Sequence, residues 1–220
     1  MGILESGAPG QSAYAVNGRG EVVPFVPPDV RHVLDIGCAS GGFGENLRTE
    51  RPQITRLVGV EPLEAEAALA RDAAYDEVHV GYFPEAMPDD GESFDCVVLN
   101  DVLEHMPDPW RALTDAKKFL RPEGYVVASI PSIQYLPISL RIVRGQWTYT
   151  DEGTLDRTHL RFFTKSTMRE MFEDAGFEVI RLEGINSFAT AHPRRAVRLI
   201  SRFLGDGQWL QFVTVARVPA

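Results

Sequence analysis

The sequence predicts an α/β fold: a single doubly wound, Rossmann-like domain on a mostly parallel sheet with an antiparallel last strand. Three observations carry this. Short apolar runs rich in β-branched residues alternate with amphipathic stretches along most of the chain. The runs lack in/out alternation, which implies burial on both faces beneath covering helices. The first run ends in a glycine-rich turn, "VLDIGCASGGFGENL" from Val33 to Leu47, after which helical spacing resumes.

In chain order, "HVLDIG", "RLVGVE", "DEVHVG", "FDCVVLN" and "GYVVASI" read as strands, each bounded by Gly, Pro, Asn or an acid. Between them "GGFGENLRTE", "PLEAEAALARDA" and "PWRALTDAKKFL" read as helices. In the last, Trp110, Leu113, Lys117 and Leu120 share one side, the lysine stem covering apolar surface, and "RPEG" ends the helix with turn chemistry. After about residue 130 the rhythm changes. "PSIQYLPISLRIVRGQWTYTDEGTLDRTHLRFF" is aromatic, weakly periodic and too long for an idle connector, so a substrate-facing insertion is expected over about 131–163. "TKSTMREMFEDAGF" is a helix that Thr164 or Ser166 caps and Gly176 closes, with Met168, Met171, Phe172 and Ala175 as its stripe. "EVIRLEGI" and "QWLQFVTVARV" are two final strands flanking the helical "HPRRAVRLISRFL". The expected division is a lead-in over 1–29 and the domain itself over 30–220.

Composition narrows the partners. The chain has 220 residues, 44% hydrophobic and 24% charged, with a formal net charge of -9, so nucleic acid and anionic membrane are not expected partners. The two cysteines, Cys38 and Cys96, lie in apolar runs, so neither a disulfide framework nor a zinc set is expected. The N-terminus lacks a secretory signal, and Gly2 with Ser6 fits a myristoylation pattern only nominally. No segment approaches the roughly 18 apolar residues of a membrane span. A cytoplasmic protein with a small-molecule substrate is expected, either monomer or homodimer.

The glycine turn admits three ligands. Gly37, Gly41, Gly42 and Gly44 let the backbone turn sharply and let a ligand approach the main chain. A phosphate loop needs Gly-Lys-Ser/Thr, and no lysine lies nearby. A dinucleotide fingerprint can be forced as Gly37-x-Ala39-x-x-Gly42, but pyrophosphate beside Asp35 is electrostatically awkward. A ligand with an ammonium and a sulfonium and no phosphate suits Asp35 better, and S-adenosylmethionine is such a ligand. Glu61, ending the second strand, can accept both ribose hydroxyls, although nicotinamide enzymes use a similar acid.

"VLDIGCASGGFGENL", "LVGVEP", "FDCVVLNDVLEHMPDPWRAL", "LRPEGYVVASIP" and "HLRFFTKSTMREMFEDAGFEV", in that order over roughly 30–182, resemble successive blocks of the class I S-adenosylmethionine-dependent methyltransferases. The resemblance implies a seven-stranded sheet, mostly parallel, with an antiparallel last strand. It implies that Asp35, Gly37, Ala39 and Gly41 frame the methionine portion of the cofactor, that Glu61 and the adjoining Pro62 receive the ribose, and that the Asn100 backbone meets the amino-acid end. Ala39 stands where the family often has glycine, so a slightly tighter loop is expected. The third strand ends Gly81-Tyr82-Phe83 rather than Gly-Asp, so adenine recognition falls to backbone groups or to stacking on Tyr82 and Phe83. The lead-in "YAVNGRGEVVPFVPP" resembles that of relatives in surface-polysaccharide and sugar-modifying pathways, in which the arginine matching Arg19 helps hold the cofactor carboxylate as part of a lid. An exposed arginine in a flexible lead is the alternative.

Methyl transfer to a hydroxyl needs alignment and a base, and histidine suits the base. His32, His79 and His192 read as structural or solvent-facing. His105, after the fourth strand, and His159, in the insertion, are the catalytic candidates, with His159 favoured. Tyr149, Arg157 and Phe163, near it in the sequence, are expected to contact substrate. Asp101, Glu104 and His105 resemble the metal ligands of ubiquinone-type O-methyltransferases. The favoured reading is that Asp101 and Glu104 face solvent or charge a helix N-terminus, and no metal is expected. Arg194, Arg195, Arg198 and Arg202 read as the solvated face of a packed helix. The expected activity is O-methylation of a sugar or specialised metabolite. The alternatives are N-methylation of an amine, a noncatalytic cofactor-binding domain, and hydride transfer with a dinucleotide.

Overall fold

The computed structural model describes residues 18–89, 91–191 and 203–220. The myristoylation pattern, His192 and the arginine-rich helix lie outside the described residues. Seven strands form one sheet in the order β3-β2-β1-β4-β5-β7-β6. They are β1 (His32–Ile36), β2 (Arg56–Glu61), β3 (Glu77–Val80), β4 (Phe94–Asn100), β5 (Leu120–Pro131), β6 (Glu178–Ser187) and β7 (Trp209–Arg217). Pairings among β1 to β5 are parallel, and β7 runs antiparallel to both β5 and β6. The expected fold class is therefore the observed one.

Helices α1 (Gly42–Glu50), α2 (Glu64–Ala73), α3 (Pro109–Lys117), α4 (Leu136–Val143) and α5 (Lys165–Asp174) complete the fold, with shorter helical turns between them. Because the central strands are buried on both faces, adjacent residues serve opposite cores. Leu34, Ile36, Val97 and Leu99 join Leu113 of α3 and Met168, Met171 and Phe172 of α5. Val33, Leu57, Cys96 and Val98 join Phe43 and Leu47 of α1 and Ala67 and Ala70 of α2. Val22, Val23, Phe25 and Val26 of the lead-in are buried in that second core. From Val22 onward, therefore, the lead-in is packed structure.

Three local expectations change. On α3 the buried stripe is Ala112, Leu113 and Ala116, whereas Trp110 is 40% exposed. "RPEG" does turn, with Glu123 at φ 60, but inside β5, whose register against β4 shifts there. Of the two possible caps for α5, Thr164 is the one used, in a reciprocal capping box with Thr167.

Tyr75 fixes how closely α1 approaches the sheet. A Cβ at Gly44 would sit 2.4 Å from the Tyr75 ring, and one at Gly59 would sit 2.6 Å from Cys38 Sγ. The ring thus occupies a slot that only glycines leave open. Gly44→Ala is expected to cost about 1–3 kcal/mol through overpacking, lowering the melting temperature by roughly 2–4 °C per kcal/mol. An unchanged thermal midpoint would remove this slot as a packing constraint.

Candidate functional site

The carboxyl ends of β1, β2 and β4 converge where the strand order reverses, between β1 and β4. The glycine turn leaves β1 there and folds back on β2, with Gly37 N and Cys38 N donating to Val60 O at 2.8 and 3.2 Å. Gly37, Ala39 and Gly41 all have positive φ, at 77°, 45° and 95°. Ala39 thus takes the left-handed conformation that glycine adopts freely, at a cost of about 1–2 kcal/mol. Packing also demands the glycines. A Cβ at Gly37 would lie 2.6 Å from Val102, and one at Gly41 would lie 2.9 Å from the Ala70 backbone.

Two buried carboxylates shape this crevice. Glu61 accepts from Ala39 N and Leu63 N, each at 3.0 Å through a different oxygen. Each oxygen keeps a second lone pair for a ligand donor. Burial raises the Glu61 carboxyl pKa, and those two N–H groups pull it back. Asp35 accepts from the Tyr75 hydroxyl through Oδ2, and its Oδ1 is buried without a hydrogen-bond partner. Burial pushes the Asp35 carboxyl up to about 7, against the pull of Tyr75, and Glu61 adds to the rise. At the end of β4, Asn100 Nδ2 is likewise buried without a partner. An unpaired acceptor and an unpaired donor at the ends of adjacent strands match an amino acid's ammonium and carboxylate. Pro62 follows β2 half-buried. Beyond β3, Tyr82 is 61% exposed, while Phe83 packs on Phe119 with ring centroids 5.6 Å apart.

Arg19 is not an exposed arginine. Its side chain is 11% exposed and pairs with Asp101 Oδ2 at 2.9 Å. It also donates to Ser129 Oγ at 2.9 Å and to Gln211 Oε1 at 3.4 Å. Gln211 Nε2 closes the network on Asp101 Oδ1 at 2.8 Å. Burial raises the Asp101 carboxyl to about 6, with Arg19 opposing the rise. The expectation that Asp101 and Glu104 face solvent therefore fails, because both are folded under the lead-in and the insertion.

The insertion is clamped onto the loop after β4. Ile133 N donates to Phe163 O at 2.9 Å at its base, and Leu160 N and Arg161 N donate to Glu104 O at 2.8 and 3.1 Å. This clamp brings His159 edge-on to His105, ring centroids 4.6 Å apart. His159 Nδ1 lies 3.0 Å from Thr154 O, an acceptor only, so Nδ1 carries the proton and Nε2 keeps its lone pair. His105 Nδ1 is held by Thr158 O and Oγ1 at 3.3 and 3.1 Å. Burial lowers both imidazoles, His105 to about 4, so both are neutral at pH 7. Glu104 is 1% exposed with neither carboxylate oxygen hydrogen-bonded, and burial with the Asp101 charge pushes it well above the usual range. One ligand atom each from Glu104, His105 and His159 lies within 4.8 Å of the others, a donor set that can hold a divalent cation. Asp101 is committed to Arg19 instead.

The three expected substrate contacts diverge. Tyr149 is half-exposed beside Trp147, Arg157 pairs with Asp151 at 2.7 Å on the surface, and Phe163 is 3% exposed within the core. A cavity of about 640 Å³ opens instead between the lead-in, residues 152–154 of the insertion and the adjoining ends of β6 and β7, with Arg19, Thr154 and Gln211 in its wall. Sequence reasoning missed Tyr75, Thr154 and Gln211. A glutamine inside the apolar "WLQFVTV" was the one available signal. Among the described residues, no helix is long and apolar enough to cross a membrane.

Tyr75→Phe tests the Asp35 pair. Asp35 holds its proton in the folded state up to about 7 and in the unfolded state only to about 3.8, so its contribution to stability falls as pH rises between them. The ionised carboxylate needs Tyr75 most. Urea denaturation of the variant is expected to show a loss of about 1–3 kcal/mol near pH 8 and a smaller one near pH 5. Equal losses at both would remove the pair.

The profile of the methyltransferase-domain family matches residues 18–182. A ubiquinone biosynthesis O-methyltransferase of Vibrio atlanticus is 26% identical over 163 residues, 71% of this chain and 67% of that one. A SAM-dependent methyltransferase of Archaeoglobus fulgidus superposes with TM-score 0.65 at 18% identity, covering 94% of each chain. A SAM-dependent methyltransferase of Thermotoga maritima, described as a possible histamine N-methyltransferase, gives TM-score 0.64 at 20% identity and the same coverage.

Proposed function

The chain belongs to the methyltransferase-domain family, and from that premise we propose that it moves the methyl group of S-adenosylmethionine to the hydroxyl of a small molecule, a sugar or specialised metabolite. The cofactor supplies an activated methyl on a sulfonium leaving group. Asp35, with its unpaired Oδ1, and the Asn100 end of β4 receive the amino-acid portion, and Glu61 receives the ribose. Arg19, paired with Asp101 just past the end of β4, is the partner for the cofactor carboxylate and exchanges some of its contact with Asp101 for it. Tyr82 and Phe83 border the adenine end.

One observation carries the hydroxyl reading: the neutral His159, its Nδ1 committed to Thr154 and its Nε2 available, beside His105 at the carboxyl end of the sheet. His159 takes the acceptor proton as the methyl is transferred, and His105 orients it. The name of the Vibrio relative, an O-methyltransferase, supports oxygen over nitrogen.

His159→Ala is expected to lower turnover about 10²–10⁴-fold while calorimetry finds adenosylhomocysteine affinity within about twofold of wild type. Wild-type turnover would remove His159 as base, and absent adenosylhomocysteine binding by the unmodified protein would remove the reading as a whole. The unpartnered Glu104 carboxylate favours a second reading, in which Glu104, His105 and His159 hold a divalent cation that polarises the hydroxyl. Turnover that survives exhaustive chelation supports the base. Turnover lost on chelation and restored by Mg²⁺ or Mn²⁺ supports the cation.

A further inference from the structure

The cavity between the lead-in, the insertion and the ends of β6 and β7 is joined to His159 through Thr154, and its lining narrows the acceptor. At about 640 Å³ it is of a size that takes one or two sugar rings. Glu21, Glu152, Asn186, Gln211, Thr154 and Arg19 are among its lining residues. Thr154 is 4% exposed, and its Oγ1 has no hydrogen-bond partner. A buried hydroxyl left in this state is costly unless a ligand completes it. The Thr154 carbonyl also holds His159 Nδ1 at 3.0 Å, so one residue both lines the cavity and orients the proposed base.

With Arg19 given to the cofactor carboxylate, charge at the wall excludes a further anion. Among the described lining residues Arg19 is the only cation, and Asp101 at 2.9 Å and Glu21 at 3.5 Å offset it. With Glu152 also present, an entering phosphate or carboxylate meets uncompensated negative charge, which is strongly disfavoured in a partly desolvated site. A flat aromatic acceptor fares poorly for a different reason. It would bury Thr154, Asn186 and the carboxylates without supplying donors and acceptors to match them.

We infer that this cavity is the acceptor site and that it selects a polyhydroxylated acceptor, uncharged or bearing an amine, over phosphorylated, carboxylated or aromatic ones. The inference rests on the methyltransferase reading above. Glu21 and Glu152 accept hydroxyl or ammonium hydrogens, and Thr154 and Asn186 meet neighbouring ring oxygens. The acceptor's charge class is set by the lead-in and the insertion, whereas its methyl-accepting oxygen is set by His159.

Saturation-transfer NMR on protein saturated with adenosylhomocysteine tests this, with methyl glucoside, glucosamine, glucosamine 6-phosphate and catechol as probes. Transfer is expected to the first two, and at least about fivefold less to the phosphate and to catechol. Thr154→Val, which keeps side-chain shape, is expected to weaken both sugars about tenfold. Glu152→Lys, on an exposed loop, is expected to admit the phosphate. Equal transfer to glucosamine 6-phosphate or catechol, no transfer to either sugar, or sugar signals indifferent to both variants would overturn the inference. Adenosylhomocysteine calorimetry on the same sample separates the two levels. Absence of binding there removes the methyltransferase reading, whereas binding without sugar transfer removes only the acceptor assignment.

Discussion

The parallel pairing of β1 with both β2 and β4 is the constraint from which the site follows. Chain leaving β1 must go to one side and chain leaving β4 to the other, so the carboxyl end of the sheet opens between them. No backbone ladder closes that opening. Its polar groups are met by side chains instead, and Glu61, Asp35, Asn100 and Asp101 all stand at its rim. Glu61 ties the turn to β2 through Ala39 N, Tyr75 ties Asp35 from the α1 side, and Arg19 ties Asp101 from the lead-in.

This arrangement concentrates buried carboxyl groups at one end of the protein. Burial raises Asp35, Glu61, Asp101 and Glu104 together, and the available compensation is uneven. Glu61 has two backbone donors and Asp101 has a guanidinium, whereas Asp35 keeps one oxygen unpaired and Glu104 has both unpaired. A protein selected for stability alone would replace such groups with apolar ones. A ligand carrying positive charge and hydrogen-bond donors would satisfy the oxygens left unpaired.

The insertion is anchored at particular points. Its helix α4 buries no residue, with Val143 at 84% exposure, whereas Leu155 and Phe163 are buried and backbone bonds hold its two ends. The bonds from Leu160 and Arg161 to Glu104 O fix where His159 stands, and Asp156 orders the turn before it by accepting from Thr158 N at 2.7 Å and Thr158 Oγ1 at 2.6 Å. A few hydrogen bonds thereby join two histidines far apart in the chain.

The sequence by itself determined the sheet, the strands, the helices outside the insertion, the glycine turn and the two acids at the ends of β1 and β2, but not the helix α4 inside the insertion. These are local properties: β-branched runs without alternation, positive-φ glycines, and an acid where an apolar run stops. Tertiary structure alone decided the partners. Tyr75 meets Asp35, Arg19 meets Asp101, Gln211 bridges them from the last strand, and Phe163 turns into the core rather than toward the cavity. Burial and pairing depend on which distant segments are brought together. A charged or aromatic residue in an aperiodic stretch carries no record of its neighbours until the chain is folded.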